Sequence, residues 1–464
     1  MNESHNNMSF NAIIAKIGTL TAIIFTVLQC IGFLINARIP MESILIGAAV
    51  IPIRLFYLSR MSDISKNMAR YILWVSWDLS LIVVPTLMFD YYTAGTYMNM
   101  NGVTFMYNVS DVSFCINIGT YTMMLTFLAS VWCKNEKTPN FDYFLKASKT
   151  GFYATIAGVV ALNVVALAIV KIFGLGTLGE QAVLLPYKLT AITNFFAYGI
   201  APFIQIFILD AMCKRKINVL VPIGIIMALS VLTAYVSLSK GALIKPVVII
   251  AVYVIMTKRL SAGFVYFSLA LCLIAFVMAS FLGAYRDSKK TIYKESLTSA
   301  GMGYSAMEYV HRIFTDGHMF IKLNSIMGQE ELFSSLKHYN YDVTAFHTYG
   351  IDQTPHHAMH SSGCVTLPGA YMFGYPFYTF IVIFISLFVL YIDYGFPRSK
   401  GMLASTMMRV FFAYYFGKYI LPMMLLEFST KLYNGVYNSA LYLLLLILCF
   451  VFYLKFFCVK KRTE

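Results

Sequence analysis

The sequence predicts an all-helical (all-α) integral membrane protein of about 12 transmembrane helices, and three observations predict it. Of its 464 residues, 59% are hydrophobic and only 12% are charged, with a mean hydropathy of +0.71; a soluble domain carries roughly 25% charged residues. Its apolar residues fall in runs of the length a bilayer requires, about 20 residues of helix. Its basic residues fall between those runs and alternate from one side to the other, which is the pattern that orients membrane helices.

The apolar runs lie near 17–36, 42–58, 71–89, 112–132, 151–171, 192–212, 218–236, 242–257, 262–283, 371–392, 402–425 and 436–456. The first is long enough to span, and no small-residue cleavage site stands out after it, so it reads as a retained helix. One set of connections holds Arg60, Lys66 and Arg70; then Lys134, Lys137, Lys146 and Lys149; then Lys214, Arg215 and Lys216; then Lys258 and Arg259; then Arg398 and Lys400; and finally the tail with Lys455, Lys460, Lys461 and Arg462. The opposite set is poor in positive charge, and the stretch from Asp90 to Asp111 has no Lys or Arg. The positive-inside rule makes the first set cytoplasmic. Both termini are then cytoplasmic. The chain divides into residues 1–283 with nine spans, 284–370 as one large outer loop, and 371–464 with three spans and a basic tail. The net charge of +14 is on this reading a topology signal, so membrane lipids are the expected surroundings and no nucleic acid is an expected partner. The eight cysteines are scattered without a CxxC pair, and no disulfide framework or zinc ribbon follows.

The loop holds the chemistry. His311, His318, His338, His347, His356, His357 and His360 lie there, leaving one histidine elsewhere, together with Arg286, Lys289, Lys290 and Arg312. Such a segment on a membrane protein points to reactions at the membrane face, which a plain channel or carrier has no evident need of. Its apolar patches, Met319–Leu323 and Glu331–Leu336, predict that it is partly helical and packed back on the membrane part. Lys240, in Ser237-Leu-Ser-Lys-Gly241, and Arg286, after Gly283-Ala-Tyr, fall at outer ends of spans, with Lys289 and Lys290 behind. A guanidinium fork and an ammonium point charge suit a diphosphate; snorkelling of the lysines to headgroups is the other reading. His356 and His360 stand four apart and share a face if helical, a spacing that suits a metal. The zincin pattern needs Glu where His357 stands, so a metalloprotease is not supported. A neutral imidazole, with an unperturbed pKa of about 6.5, can also accept a proton from a sugar hydroxyl, and ordinary polar loop histidines are the third reading. Within the spans, Asp78, Arg409 and Lys418 are costly charges, and the expectation is that Asp78 pairs with one of the two cations.

This plan resembles the Wzy-type polymerases of bacterial O-antigen and capsule biosynthesis, which have ten to fourteen spans and one large periplasmic loop in the second half. Ser237-Leu-Ser-Lys-Gly-Ala-Leu243 resembles a family segment of the form Ser-Arg-Gly, with Lys240 in place of the arginine. Gly283-Ala-Tyr-Arg286 resembles the arginine that opens the loop, and Leu367-Pro-Gly-Ala-Tyr-Met-Phe-Gly374 resembles the glycine-containing start of the following helix. The resemblance implies an all-helical membrane glycosyltransferase of the GT-C type, in the bacterial inner (cytoplasmic) membrane, that joins repeat units carried on undecaprenyl diphosphate. It implies Arg286 and Lys240 at the diphosphate, Arg312 in support, and His356, His357 or His360 as the base. It also implies no cofactor or metal, which fits the lack of a DxD motif near the outer face, and a chain-length regulator as a possible partner. An O-antigen ligase shares the donor and much of the plan. A lipid-linked oligosaccharide flippase also has about twelve spans, but usually with short, even loops. A membrane acyltransferase would place histidine within the spans, which here have none.

Overall fold

The structure is a computed structural model. It describes residues 2–61, 67–94, 97–98, 104–105, 107–132, 142–145, 149–175, 189–215, 217–237, 374–394 and 458–461, and a few helical positions between 242 and 277 and between 320 and 371. Among the described residues, six helices are long and apolar enough to cross a membrane: Lys16–Ile35, Met41–Ser59, Arg70–Leu87, Val109–Val131, Gly151–Phe173 and Leu220–Ser237, with a shorter apolar helix at Tyr375–Leu390. The predicted spans 402–425 and 436–456 lie outside the described residues, and 242–257 and 262–283 are described only at isolated positions.

Helix α1 (Asn2–Ile35) shows how the sequence sets the packing. Gly18, Ala22, Phe25, Gln29 and Gly32 are buried, and Asn36 continues their three-four spacing just beyond the helix. The large apolar side chains Leu20, Ile23, Ile24, Val27, Ile31 and Leu34 face outward. This reverses the amphipathic pattern of a water-soluble helix and is the order expected in lipid, where small and polar groups make the helix contacts. The helix packs on α2 (Met41–Ala48) and α3 (Val50–Ser59), which are offset at Ala49, and on a broken span. That span comprises α4 (Met68–Asp78), a π-turn at Leu79–Val83, α5 (Val84–Leu87) and α6 (Phe89–Thr93).

Pro85 is the physical cause of the break. It has no N–H to return to the Leu81 carbonyl, and that oxygen accepts instead from the Cys115 thiol at 3.6 Å. Thr86 Oγ1 donates to the Ile82 carbonyl at 2.6 Å. The second break, at Met88, is closed by Asn36. Its Nδ2 donates to the Thr86 and Leu87 carbonyls at 2.9 and 3.2 Å, and its Oδ1 accepts the Asp90 N–H at 3.0 Å. Backbone groups freed inside a bilayer need such partners.

Helix α7 (Val109–Trp132) lies against this span through Gly119. A Cβ added there would stand 2.8 Å from Leu81 Cβ and 2.9 Å from the Leu81 carbonyl oxygen, so the close approach requires glycine. Helix α8 (Lys149–Phe173) packs with a second broken span, α9 (Leu189–Asn194), a π-turn at Phe195–Gly199 and α10 (Ala201–Lys214), and with α11 (Leu220–Ser237). Pro202 follows this π-turn, and Asn163 Nδ2 of α8 donates to the Phe196 and Ala197 carbonyls at 2.9 and 3.1 Å. Both broken spans thus combine a π-turn, a proline shortly after it and an asparagine amide from a neighbouring segment. Helix α12 (Tyr375–Tyr394) completes the larger core, whose buried members include Trp74, Leu81, Phe89, Ile116, Tyr378 and Ile385.

Contacts fix relative direction. Helix α3 runs antiparallel to α4, with Arg54 on Asp78 and the Tyr57 and Trp74 rings 4.4 Å apart. Helices α7 and α12 run in the same direction, with Thr122 bonded to the Tyr378 hydroxyl and Ser386 bonded to Thr126. Parallel spans begin on one side, so an even number of crossings separates their starts, and the predicted order satisfies this. A two-stranded antiparallel ribbon adds a second constraint. Strand β3 (Asp142–Leu145) pairs with β4 (Cys458–Lys461), Asp142 opposite Lys461 and Leu145 opposite Cys458. The connection after α7 and the tail therefore share one side, as the charge pattern predicts. A small hairpin, β1 (Tyr97–Met98) with β2 (Thr104–Phe105), lies between α6 and α7.

The structure corrects the expected partner of Asp78. Arg409 and Lys418 lie outside the described residues, and the carboxylate is held by Arg54. Nε donates to Oδ2 at 2.5 Å and Nη2 to Oδ1 at 2.6 Å, with both side chains fully buried. Arg54 Nη1 also reaches Thr26 Oγ1 of α1 at 3.3 Å. The reason is proximity: Arg54 and Asp78 lie in consecutive antiparallel spans at matching depth.

Candidate functional site at the Asp111 end of the bundle

Arg286, Lys240, Arg312, Lys289, Lys290, His356, His357 and His360 all lie outside the described residues. The structure does describe where the segment that carries most of them touches the bundle. Phe320 and Ile321, within the predicted patch Met319–Leu323, are helical and fully buried, and Leu367 is fully buried as well.

The contact is built on the first turn of α7. Asn108 precedes the helix, and Asp111, in its first turn, turns one oxygen back to accept the Asn108 N–H at 3.2 Å. This is the return half of a capping box, and it places a negative charge where a helix N-terminus favours one. The other oxygen accepts from Asn324 Nδ2 at 2.8 Å. Asp111 is only 4% exposed. With both oxygens engaged, it ties α7 to the chain at Asn324.

Beside the tie stands an aromatic cluster. The Phe320 ring lies 6.4 Å from Phe114, 6.1 Å from Tyr371 and 6.0 Å from Tyr378, and Phe114 lies 5.1 Å from Tyr371. Mutual edge-to-face and tilted placements of this kind favour aromatic pairs. Two parts of the segment, near 320 and near 371, thus meet on one helix. Gly374 makes the turn from the second part into α12. Its φ of +93° is open to glycine and strained for other residues, and its N–H donates to the Tyr371 carbonyl at 2.8 Å.

The same end of the bundle carries a cation that the sequence reading did not single out. Arg38 Nη1 donates to the Thr93 carbonyl at 2.7 Å, and its backbone N–H meets Asp90 Oδ1 at 3.4 Å. The opposite ends of the spans carry Arg60 over the Phe56 ring at 3.9 Å and Arg215 over Phe152 at 4.2 Å. Both belong to the set read as cytoplasmic, and such stacking lets a cation stay at the interface while its stem covers apolar surface. Among the described residues, no group of three or more His, Cys, Asp or Glu is placed to hold a metal. Cys115 is buried, and its thiol is the one that meets the Leu81 carbonyl.

Comparison with protein families, curated proteins and solved structures finds no match to this chain. The functional reading therefore stands on the residues themselves.

Proposed function

We propose that this chain is a GT-C-type glycosyltransferase with twelve spans. It polymerises undecaprenyl-diphosphate-linked oligosaccharide repeat units into O-antigen or capsular polysaccharide at the periplasmic face of the bacterial inner membrane. The observation that carries the reading is the segment 284–370, which concentrates histidine and cationic residues and touches the bundle at Phe320, Ile321 and Asn324. A polar segment that touches the end of a helical bundle at these positions suits a reaction between two lipid-anchored molecules whose sugars lie outside the bilayer.

The chemistry assigns the roles. The bond from the anomeric carbon of the growing glycan to its diphosphate breaks, and a bond forms from that carbon to a hydroxyl oxygen of the next repeat unit. Arg286 and Lys240, with Arg312, Lys289 and Lys290 nearby in sequence, stabilise the charge on the departing undecaprenyl diphosphate. One of His356, His357 and His360 takes the hydroxyl proton. The described breaks argue against a flippase. Discontinuous helices in transporters expose carbonyls to substrate or ions, whereas here Asn36 and Asn163 occupy those carbonyls.

The deciding experiment is a gel of surface polysaccharide from the source bacterium with the gene deleted. Loss of the ladder with core carrying a single repeat unit supports the polymerase. Loss of every repeat unit points to a ligase or flippase, and polymer accumulating on undecaprenyl diphosphate singles out the ligase. An unchanged ladder removes the glycan reading.

The orientation, with both termini cytoplasmic, has its own test. A cysteine placed at Ser334 should react in intact spheroplasts with an impermeant thiol reagent, beyond the labelling of the parent chain. Labelling only after lysis would invert the topology.

A further inference from the structure

The contact between α7 and residues 320–324 has a defined register. Phe320 and Asn324 stand four apart, one helical turn, and share a face; Asp111 and Phe114 stand three apart on α7 and share a face. Phe320 meets Phe114, and Asn324 meets Asp111, so the turn lies antiparallel along the start of α7. The apolar burial around these rings is by itself non-directional. The Asn324–Asp111 hydrogen bond does not slide, because it runs from an amide to a carboxylate oxygen whose partner oxygen is committed to the Asn108 N–H. Burial of Asp111 keeps water from replacing the amide.

We infer that Asp111 and Asn324 are positioning residues for the proposed reaction, a latch that holds the chain at Phe320 and Asn324 in one register on α7; this rests on the proposed polymerase reading. In sequence the latch falls inside the segment: Arg312 and His318 precede Phe320, and His338, His347, His356, His357 and His360 follow Asn324. Their contribution is to fix the chain at Asn324 on α7, and catalytic groups displaced by as little as 1 Å can lose about 100-fold in rate.

The test uses the full-length protein in membrane vesicles, with purified undecaprenyl-diphosphate-linked repeat unit as substrate. Asn324→Asp sets two carboxylates against each other. It is expected to lower kcat by about 10- to 100-fold, the cost of misplaced catalytic groups. Adding Asp111→Asn to Asn324→Asp restores the pair with donor and acceptor exchanged. The Asn108 N–H still finds an acceptor, and kcat should return to within about threefold of the parent. Asn324→Ala removes the donor without adding charge and keeps the test decisive should Asn324→Asp fail to accumulate in the membrane. Parental kcat in Asn324→Ala, or no recovery in the exchanged pair, would overturn the latch. Inactivity of the parent chain in this assay, with an unchanged ladder in the deletion strain, would overturn the polymerase reading instead.

Discussion

Arg54→Ala should lower the stability of the inserted fold by about 3–5 kcal/mol, because it leaves a buried carboxylate without its counter-charge. The geometry explains why the effect is large. Two charge-assisted bonds of 2.5 and 2.6 Å join α3 to the broken span, and a third contact ties both to Thr26 of α1. Each side chain is fully buried, and in lipid an isolated charge has no water to return to. Asp78→Ala should cost a similar amount for the opposite reason, a stranded guanidinium. The double variant Arg54→Met with Asp78→Leu should recover most of the loss, since apolar replacement of a buried pair is often close to neutral. Denaturant titration in micelles, followed by tryptophan fluorescence, measures this directly because Trp74 and Trp77 are buried beside the pair. A single variant that unfolds at the parental midpoint would show that the pair contributes nothing to stability.

Arg286→Ala should abolish polymer formation while the protein accumulates and inserts normally. The physical argument is that a departing diphosphate concentrates negative charge as the anomeric bond breaks. A guanidinium can meet two of its oxygens at once, which an ammonium cannot. Removing one such electrostatic donor typically costs about 100- to 1,000-fold in kcat, and because a ladder requires many successive transfers, its long members should vanish. Arg286→Lys should retain charge and recover only part of the activity. The triple Ala variant of His356, His357 and His360 should likewise lose the ladder. Retained long chains in Arg286→Ala would remove that residue from the site, and full activity in the triple variant would remove the histidine base.

Much of the helical layout was legible because hydropathy controls it. The run at 112–132 became Val109–Trp132, 151–171 became Lys149–Phe173, and 218–236 became Leu220–Ser237. The interruptions were less legible. Apolar character is continuous across Leu79–Val83 and Phe195–Gly199, and only Pro85 and Pro202 mark them in sequence, each span also holding carbonyls met by a distant asparagine. That asparagine is remote in sequence, so no local pattern connects the two. Asp78 was legible as a costly charge, but its partner was not, because pairing depends on which helices pack together. Arg54 carried the needed signal, a lone cation inside the run 42–58. At the candidate site, the apolar patch at Met319–Leu323 marked where the loop would touch down, and Phe320 and Ile321 are buried there. The tie to Asp111 was not legible. Asp111 lies in a stretch notable for its lack of cations, and nothing local to it points to Asn324.

The β3–β4 ribbon has a consequence for biogenesis. Residues 142–145 leave the ribosome early, and their partners at 458–461 are made only after every segment between them. During translation the early strand waits with an open edge until the late strand arrives. An extension or truncation near residues 458–461 should therefore act on a connection more than three hundred residues away in sequence, and a reporter fused close to that strand would report on an altered assembly.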